Sequence, residues 1–493
     1  MLKHRNSFAA MISIFVLLSA MGGCNRSNST AKPSADSPAT SERLPPIEVV
    51  VVDDDALANA IEREWSAAGG EPLTVKRMQA ADLKRRQAWT ADVIVYPFSW
   101  MGDLVSRRII RPLERATGFS PDSTDQKEAL EVGDFFERTR NSEMTWGKKT
   151  YAASLGSPQF VLLYRKEVFD ELSLTVPTTW AEYDRVVTRI EEQSATVREV
   201  LQVSDEQTLT AAPLGVGWAG KTFLARAAAY ARNRSQYSCL FSIQSFEPQI
   251  DQAPFVRALD ELRSIHQSAT GSTPYSIAAD LAAGKLAMAI TWPEAARSTD
   301  STRESESNSN KPTFGVASLP GSRDFFDRRS GEWQSRSPEE SSCVPLIGAS
   351  GRCASIGRRT PDANRAYDFV TWLASRDNGL RIASRSRDTT ISRFSQSEHL
   401  STTLPPAYSK IAGDLANVIQ SDQSRDLKLS VIRVPDHERY MQALDTTIRE
   451  ALSSSESSQS ILKKVATSWA GITEEIGSQK QVSAYGRALG IDP

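Results

Sequence analysis

The first patterned stretch of the chain alternates buried strands with amphipathic helices. A continuous β-branched run at Ile47–Val52 predicts a strand that is buried on both faces. Leu57, Ile61 and Trp65 then recur at helical spacing, which predicts a helix over residues 56–68. The next elements are a strand at 73–78, a helix at 80–89 and a strand at 92–97. This order indicates a doubly wound α/β unit, whose ligands bind at the C-terminal ends of its strands.

The later part of the chain continues with mixed elements and shows no internal repeat. Residues 154–165 look extended, and Thr179 with Glu182 forms a capping box that opens a helix. Residues 281–293 read as a helix end, a glycine turn and a buried strand, and the low-complexity stretch 298–312 is expected to be a mobile surface loop. Further helices are predicted at 223–232, 254–266, 362–375, 439–453 and 461–476.

The N-terminal segment is typical of export. Residues 1–24 have a basic start and an apolar run from Phe8 to Ala20 that is too short to span a bilayer, which predicts a secretory signal peptide. The segment ends in Met-Gly-Gly-Cys, which resembles a lipobox and makes Cys24 the expected lipidation site. Residues 25–45 are rich in Ser, Thr, Pro and Ala and are expected to form a disordered tether.

Composition and charge narrow the possible functions. The chain has 493 residues with 40% hydrophobic and 24% charged residues, which is enough apolar mass for two ordinary cores. A formal net charge of -2 gives no indication of a nucleic-acid partner. The 4 histidines are too scattered for a metal site or a catalytic triad, so no metal, cofactor or catalytic group is expected.

Two local patterns leave alternatives open. Gly215 to Thr222 satisfies the G-x-x-x-x-G-K-[ST] phosphate-loop pattern, but the preceding stretch with Pro213 is a poor buried strand and no strand ending in a suitable Asp is evident.

Cys343 and Cys353 flank a short turn-rich loop and are expected to form a disulfide in an oxidising compartment, whereas Cys239 is expected to be a buried thiol.

Five segments in order resemble the extracellular solute-binding proteins of ABC importers, in particular the large sugar-binding group of maltose- and glycerol-phosphate-binding types. The most specific is FVLLYRKEVFDELSLTVPTTWAEY at residues 160–183, which resembles the family's lobe-crossing strand and the helix start that follows it. The other segments lie at residues 91–114, 284–293, 314–321 and 361–375. The chain departs from the family pattern at Arg165, where Asn is usual, and in the long polar stretches 298–312 and 322–341, which are expected to be surface loops.

The resemblance implies a two-lobed, type II periplasmic-binding fold of the α/β class, with crossing strands and a ligand cleft between the lobes. One lobe is expected to comprise residues 46–155 with 349–398, and the other 158–348 with 399–485. The implied function is capture of a carbohydrate or related polyol, which a monomeric lipoprotein at the periplasmic face of a bacterial membrane delivers to ABC permease subunits. Closure of the lobes over the solute is the signal that the permease reads.

A sugar offers C–H faces and in-plane hydroxyls, so such sites pair aromatic platforms with polar side chains. Trp100, Trp218 and Trp292 lie in loops rather than on helix faces and are the predicted platforms. The predicted polar ligands of the solute follow strands or the second crossing: Asp54, Asp55, Glu294 and Arg393.

Two other functions remain open from the sequence. A sensory lipoprotein that presents bound solute to a membrane kinase would use the same closure. A periplasmic hydrolase or a nucleotide-binding protein ranks third, on the strength of the phosphate-loop pattern.

Overall fold

The computed structural model of the chain describes residues 45–85, 89–114, 130–265, 271–297 and 312–491, and the following statements concern these residues. The predicted signal peptide, Cys24 and nearly all of the predicted tether and of the 298–312 loop lie outside them. The strands are β1 Ile47–Val52, β2 Leu73–Met78, β3 Val93–Pro97, β4 Thr145–Trp146, β5 Lys149–Thr150, β6 Ala153–Ser154, β7 Val161–Arg165, β8 Thr210–Ala211, β9 Met288–Thr291, β10 Phe314–Ser318, β11 Asp324–Asp327, β12 Glu332–Ser335, β13 Leu346–Ile347, β14 Arg352–Ile356 and β15 Leu429–Ser430.

The α-helices are α1 Asp55–Ala67, α2 Ala80–Arg85, α3 Met101–Ser106, α4 Lys166–Glu171, α5 Trp180–Glu192, α6 Ser194–Leu201, α7 Ala219–Ala231, α8 Ala253–Ile265, α9 Pro274–Ala282, α10 Ala363–Leu373, α11 Arg376–Ala383, α12 Ala412–Gln423, α13 His437–Ala451, α14 Ser458–Ile476 and α15 Ser478–Ala488. Short 3₁₀ segments include Phe98–Trp100, Pro293–Ala296, Phe394–Thr402 and Pro406–Ile411. The α/β class is confirmed, and within the described residues the predicted helices and strands occur with small shifts at their ends.

The first sheet has the order β2-β1-β3-β14-β6. β1 pairs in parallel with β2 and β3, as the strand-helix order predicts, and β14 returns antiparallel between β3 and β6. The β-branched residues of β1 are buried because α1 and α10 pack on one face of this sheet, while Leu83 of α2 and Leu104 of α3 join Val50 and Val52 in the core on the other face. Asp54 lies two residues after the end of β1 and caps α1, since its carboxylate accepts the backbone N–H of Leu57 at 2.9 Å.

The second sheet has the order β10-β7-β9-β8 and is built around β7, which pairs antiparallel with β9 and β10. Helices α9 and α12 pack against it, and α7, α8, α13 and α14 pack on one another beside it. The polar stretch 322–341, expected to be a surface loop, contains the hairpin of β11 and β12. Trp333 of this hairpin packs on Tyr230 of α7 with ring centroids 6.0 Å apart, which anchors the insertion to the helical layer.

The chain passes between the two sheets three times. The passages run from β6 to β7, from β10 through β13 to β14, and from α11, which packs on α1 beside the first sheet, to the 3₁₀ segment that begins at Phe394, which packs on α12 beside the second. The passages touch one another closely: a Cβ on Gly156 would lie 1.9 Å from the carbonyl oxygen of Thr390, and one on Gly351 would lie 2.0 Å from the Ser157 hydroxyl. Both glycines have positive φ, +95° and +123°, so the backbone and the space each require glycine.

Candidate functional site

Four aromatic side chains gather beside the passages between the sheets. Trp292 follows β9 directly and lies 5.5 Å from Trp218, 5.7 Å from Phe160 and 6.1 Å from Tyr275, measured between ring centroids. Trp292 is 1% exposed, and its indole N–H donates to the carbonyl of Arg387 at 2.8 Å. Trp218 and Tyr275 are only partly buried, so the group, here called the aromatic cluster, reaches the protein surface.

An ionic network adjoins the aromatic cluster. Arg352, the first residue of β14, lies between two carboxylates, 3.4 Å from Asp54 and 2.9 Å from Asp388. The other oxygen of Asp388 accepts the hydroxyls of Tyr275 at 2.8 Å and Ser350 at 2.6 Å, which joins the network to the aromatic cluster.

The two carboxylates of this network have opposite pKa shifts. Burial raises the pKa of Asp54, although Arg352 and the Ser386 hydroxyl act against it. Burial acts in the same direction on Asp388, but Arg352 and the hydroxyls of Ser350 and Tyr275 outweigh it and lower the pKa of Asp388. Asp388 is therefore the more strongly stabilised anion of the pair.

Lys221 adds a second cation to the site. Its ammonium lies 4.2 Å from the centroid of the Trp218 ring and donates to the carbonyl of Ala349 at 2.6 Å. Burial lowers the pKa of Lys221 to about 8, although the nearby Asp388 opposes the shift. With Arg352 it balances Asp54 and Asp388, so the four charges of the site sum to zero when Lys221 is protonated.

The phosphate-loop pattern forms a loop whose amide groups are already engaged. The N–H groups of Gly217 and Gly220 donate to the two carboxylate oxygens of Asp445 at 2.9 and 3.2 Å. The Thr222 hydroxyl donates to the carbonyl of Pro213 at 2.6 Å. Asp445 thus occupies the position at the start of α7 where a phosphate would bind.

The structure brings three of the predicted solute ligands together and places the others apart. Asp54, Trp218 and Trp292 lie in the aromatic cluster and its ionic network. Trp100 packs edge-on against His437 of α13 with centroids 5.2 Å apart, and Asp55 lies exposed in the first turn of α1.

The remaining two predicted ligands are buried. Glu294 accepts the Thr390 hydroxyl and borders a small surface pocket that Trp292 and Ile419 of α12 also line. Arg393 is 1% exposed, and its guanidinium donates to the carbonyls of Ala374, Leu130 and Glu131. These bonds assign Arg393 to holding backbone segments together.

The candidate site also contains residues that were not predicted from the sequence: Arg352, Asp388, Tyr275 and Lys221. Arg352 could have been noticed, because a charged residue that opens an otherwise apolar strand needs a buried partner. Tyr275 and Asp388 carry no local signal, since their contact depends on the packing of α9 against the third passage.

The predicted disulfide between Cys343 and Cys353 is not formed, and this prediction is wrong for the structure. Both residues are buried free thiols, as is Cys239. Cys353 lies inside β14 with its sulfur 3.9 Å from the carbonyl of Glu143. Burial raises the pKa of Cys343 to about 12, with Asp422 adding to the shift. The two sulfurs therefore have separate environments.

The described residues show neither a metal site nor a membrane span. Within these ranges, no group of three or more His, Cys, Asp or Glu side chains is arranged to hold a metal ion. No helix within them is long and apolar enough to cross a membrane.

Comparison with known proteins identifies the fold. No curated protein matches the sequence. Among solved structures, the ribitol complex of an ABC transporter solute-binding protein from Agrobacterium radiobacter K84 covers 87% of this chain and 100% of its own, with 14% identity and a TM-score of 0.59. The D-mannitol complex of a solute-binding protein from Agrobacterium vitis S4 covers 88% and 99%, with 16% identity and a TM-score of 0.61. Maltose-bound MalE3 of T. maritima covers 86% and 99%, with 15% identity and a TM-score of 0.60.

These likenesses establish the two-lobed fold that the resemblance implied. The model of the family described as bacterial extracellular solute-binding protein matches residues 80–390, which is more than half of the chain. The chain therefore belongs to the family of bacterial extracellular solute-binding proteins.

Proposed function

We propose that this protein captures a carbohydrate or related polyol outside the cytoplasm and delivers it to an ABC importer. The observation that carries the proposal is the contact of the aromatic cluster with the ionic network of Arg352 and Asp388. Indole faces suit the C–H faces of a sugar, and charged hydrogen-bonding groups suit its hydroxyls. The solved structures with this fold include complexes with ribitol, D-mannitol and maltose.

The charges of the site favour an uncharged solute. Asp54 and Asp388 are already paired with Arg352, Lys221 donates to the carbonyl of Ala349, and Asp445 accepts the N–H groups of the loop that resembles a phosphate site. An anionic solute would have to displace one of these carboxylates from its partners.

A thermal-shift screen of the purified protein tests the proposal, because a solute that binds only the folded state raises the melting temperature. The panel comprises ribitol, D-mannitol, maltose, a sugar phosphate, amino acids and nucleotides. We expect a shift with a sugar or polyol. A shift with nucleotides alone would contradict the proposal and support the phosphate-loop alternative. If no compound of the panel changes the melting temperature, a sensory or interaction role would be favoured.

Trp292→Ala should abolish the shift with the sugar or polyol, since it removes the most buried ring of the aromatic cluster. Trp65→Ala is the matched control: it also deletes a large ring, one that packs on Phe369 and Trp372 away from the cluster. Loss of the shift in both variants would show a general effect of destabilisation rather than a role of Trp292 in binding.

We further propose a division into lobes at the passages between the sheets, with residues 46–155 and 349–398 in one lobe and 158–348 and 399–485 in the other. Closure of these lobes would form the surface that the permease recognises, without a catalytic step and with the protein acting as a monomer. Size-exclusion chromatography with light scattering checks the monomer.

We also propose that the mature chain is a lipoprotein held at the periplasmic face of the membrane through Cys24. The support is the sequence of residues 1–24 and the family's extracellular character. Cys24→Ala should move the protein from the membrane to the soluble fraction of disrupted cells. Continued sedimentation of the variant with the membranes would overturn the lipid anchor.

A further inference from the structure

Asp388 differs from the other carboxylates of the site in the number and type of its donors. One oxygen accepts Arg352 at 2.9 Å, and the other accepts two hydroxyls, those of Tyr275 and Ser350. Its backbone N–H donates to Ser386, whose own hydroxyl donates to Asp54. The carboxylate is therefore fixed in place and charged, and it accepts hydroxyl groups in this structure.

The Tyr275 hydroxyl reaches Asp388 from a different part of the molecule. Tyr275 lies in the first turn of α9, which packs on the second sheet, whereas Arg352 belongs to the first sheet. The ring of Tyr275 stands edge-on to Trp218 and Trp292, and the Arg387 guanidinium lies 5.5 Å from its centroid. The bond between Tyr275 and Asp388 thus connects groups that are held by the two sheets.

A phenolic hydroxyl and a polyol hydroxyl offer a carboxylate the same O–H donor. We propose that Asp388 is the acceptor for a solute hydroxyl and that the Tyr275 hydroxyl occupies this acceptor while the protein is free of solute. The inference rests on the proposed function, because it assigns roles within the proposed binding site. The solute hydroxyl takes the place of Tyr275 on Asp388, and Ser350 and Arg352 keep the carboxylate in position.

The test compares three variants with the wild-type protein. Tyr275→Phe keeps the ring and removes only the hydroxyl, and Asp388→Asn removes the charge of the acceptor. The matched control is Tyr485→Phe, which deletes the hydroxyl of another buried tyrosine, bonded to Ser238 at 2.6 Å away from the site. Isothermal titration calorimetry measures Kd for ribitol, D-mannitol and maltose, and small-angle X-ray scattering measures the radius of gyration without solute.

We expect Tyr275→Phe to bind about tenfold more tightly than the wild type, since the solute no longer competes with a hydrogen bond to a charged acceptor. Asp388→Asn should bind at least tenfold more weakly, and Tyr485→Phe should match the wild type. Without solute, Tyr275→Phe should have a larger radius of gyration, because one bond between groups held by the two sheets is lost.

Binding by Tyr275→Phe that is weaker than or equal to that of the wild type would overturn the inference while leaving the proposed function intact. Absence of binding in the wild type and all variants would instead refute the proposed function for these solutes. In that case the scattering comparison still decides on the bond itself, since an unchanged radius of gyration in Tyr275→Phe would show that the bond does not connect the groups held by the two sheets.

Discussion

At the scale of single residues, the site depends on charges that the protein keeps out of water. Lys221 is enclosed between Trp218 and the carbonyl of Ala349, and burial lowers its pKa to about 8. Lys428 has a similar pKa of about 8, which burial and the nearby Arg138 and Arg232 lower. Each lysine disfavours the folded state as long as it carries its proton there.

The free energy of unfolding should therefore respond to pH above neutrality. Below pH 8 both folded and unfolded chains hold the proton on Lys221, and the whole cost of burying the charge is present. As pH rises from about 8 towards the value of about 10.4 for a lysine in an unfolded chain, the folded protein has lost the proton while the unfolded chain retains it, so this residue's contribution to stability rises by on the order of 3 kcal/mol.

Urea unfolding between pH 7 and pH 10 measures this effect, because subtracting the curve of Lys221→Met from that of the wild type isolates the lysine. Lys428→Met provides the parallel measurement at the second lysine. Identical pH dependence in the wild type and Lys221→Met would contradict an enclosed ammonium at this position.

Some single residues of the candidate site could be predicted from the sequence, and others could not. The loop positions of Trp218 and Trp292 suggested that the two rings lie together, and they do, but Trp100 was chosen on the same ground and packs against His437 instead. That these rings bind a solute stays a prediction. Arg393 was misleading, because the carbonyls that bind its guanidinium come from residues 130–131 and 374, and no local pattern indicates their approach. Cys343 and Cys353 are near in sequence, but position along the chain does not determine where the sulfur of a strand residue points.

At the scale of elements, helices and strands were predicted best where the residues that start or bury the element lie within its own sequence. The β-branched run of β1 and the capping box of α5 both occur as expected. Helix α7 begins at Ala219, four residues before the predicted start, because the N–H groups of Gly217, just before the helix, and of Gly220, in its first turn, donate to Asp445 of α13. A cap supplied by a distant helix cannot be read from the local sequence.

Removal of this distant cap should destabilise the protein. Asp445→Ala leaves the N–H groups of Gly217 and Gly220 without their acceptor and frees Arg449, which also donates to Asp445. We expect a loss of about 1–3 kcal/mol in the free energy of unfolding.

Chemical denaturation of Asp445→Ala beside Glu450→Ala checks the expected loss, since Glu450 is an exposed acidic residue on the same helix. Equal effects of the two substitutions would show that Asp445 contributes only a surface charge.

At the scale of the whole molecule, the three passages between the sheets lie against each other without room for side chains. Their order along the chain followed from the resemblance, but their mutual contacts did not, because residues 156, 351 and 390 meet only in the folded structure. The glycines at two of these contacts combine positive φ with an approach that a Cβ would block.

Gly156→Ala should consequently push the first and third passages apart. A Cβ at 1.9 Å from the Thr390 carbonyl cannot be accommodated without a backbone shift, and φ of +95° adds strain. We expect the melting temperature to fall by several degrees and solute affinity to weaken, because the aromatic cluster lies beside these passages.

Gly471→Ala is the contrasting control, since Gly471 lies inside helix α14 with nothing within 4 Å of its added Cβ. This variant should be as stable as the wild type or gain about 0.5–1 kcal/mol. A Gly156→Ala variant as stable as Gly471→Ala would disprove the tight contact between the passages.

The three buried free thiols of the described residues can report local opening of the folded chain. Only a thiolate reacts quickly with an alkylating reagent, and burial shields Cys239, Cys343 and Cys353 while raising the pKa of each. When reclosing is faster than alkylation, each sulfur is modified in proportion to the fraction of molecules in which the chain around it is open. Mass spectrometry of peptides after timed alkylation then reports three local opening equilibria at once. Because these thiols form no bridge, folding of the described residues awaits no oxidation step, and a reducing cytosol should yield the same body as an oxidising compartment.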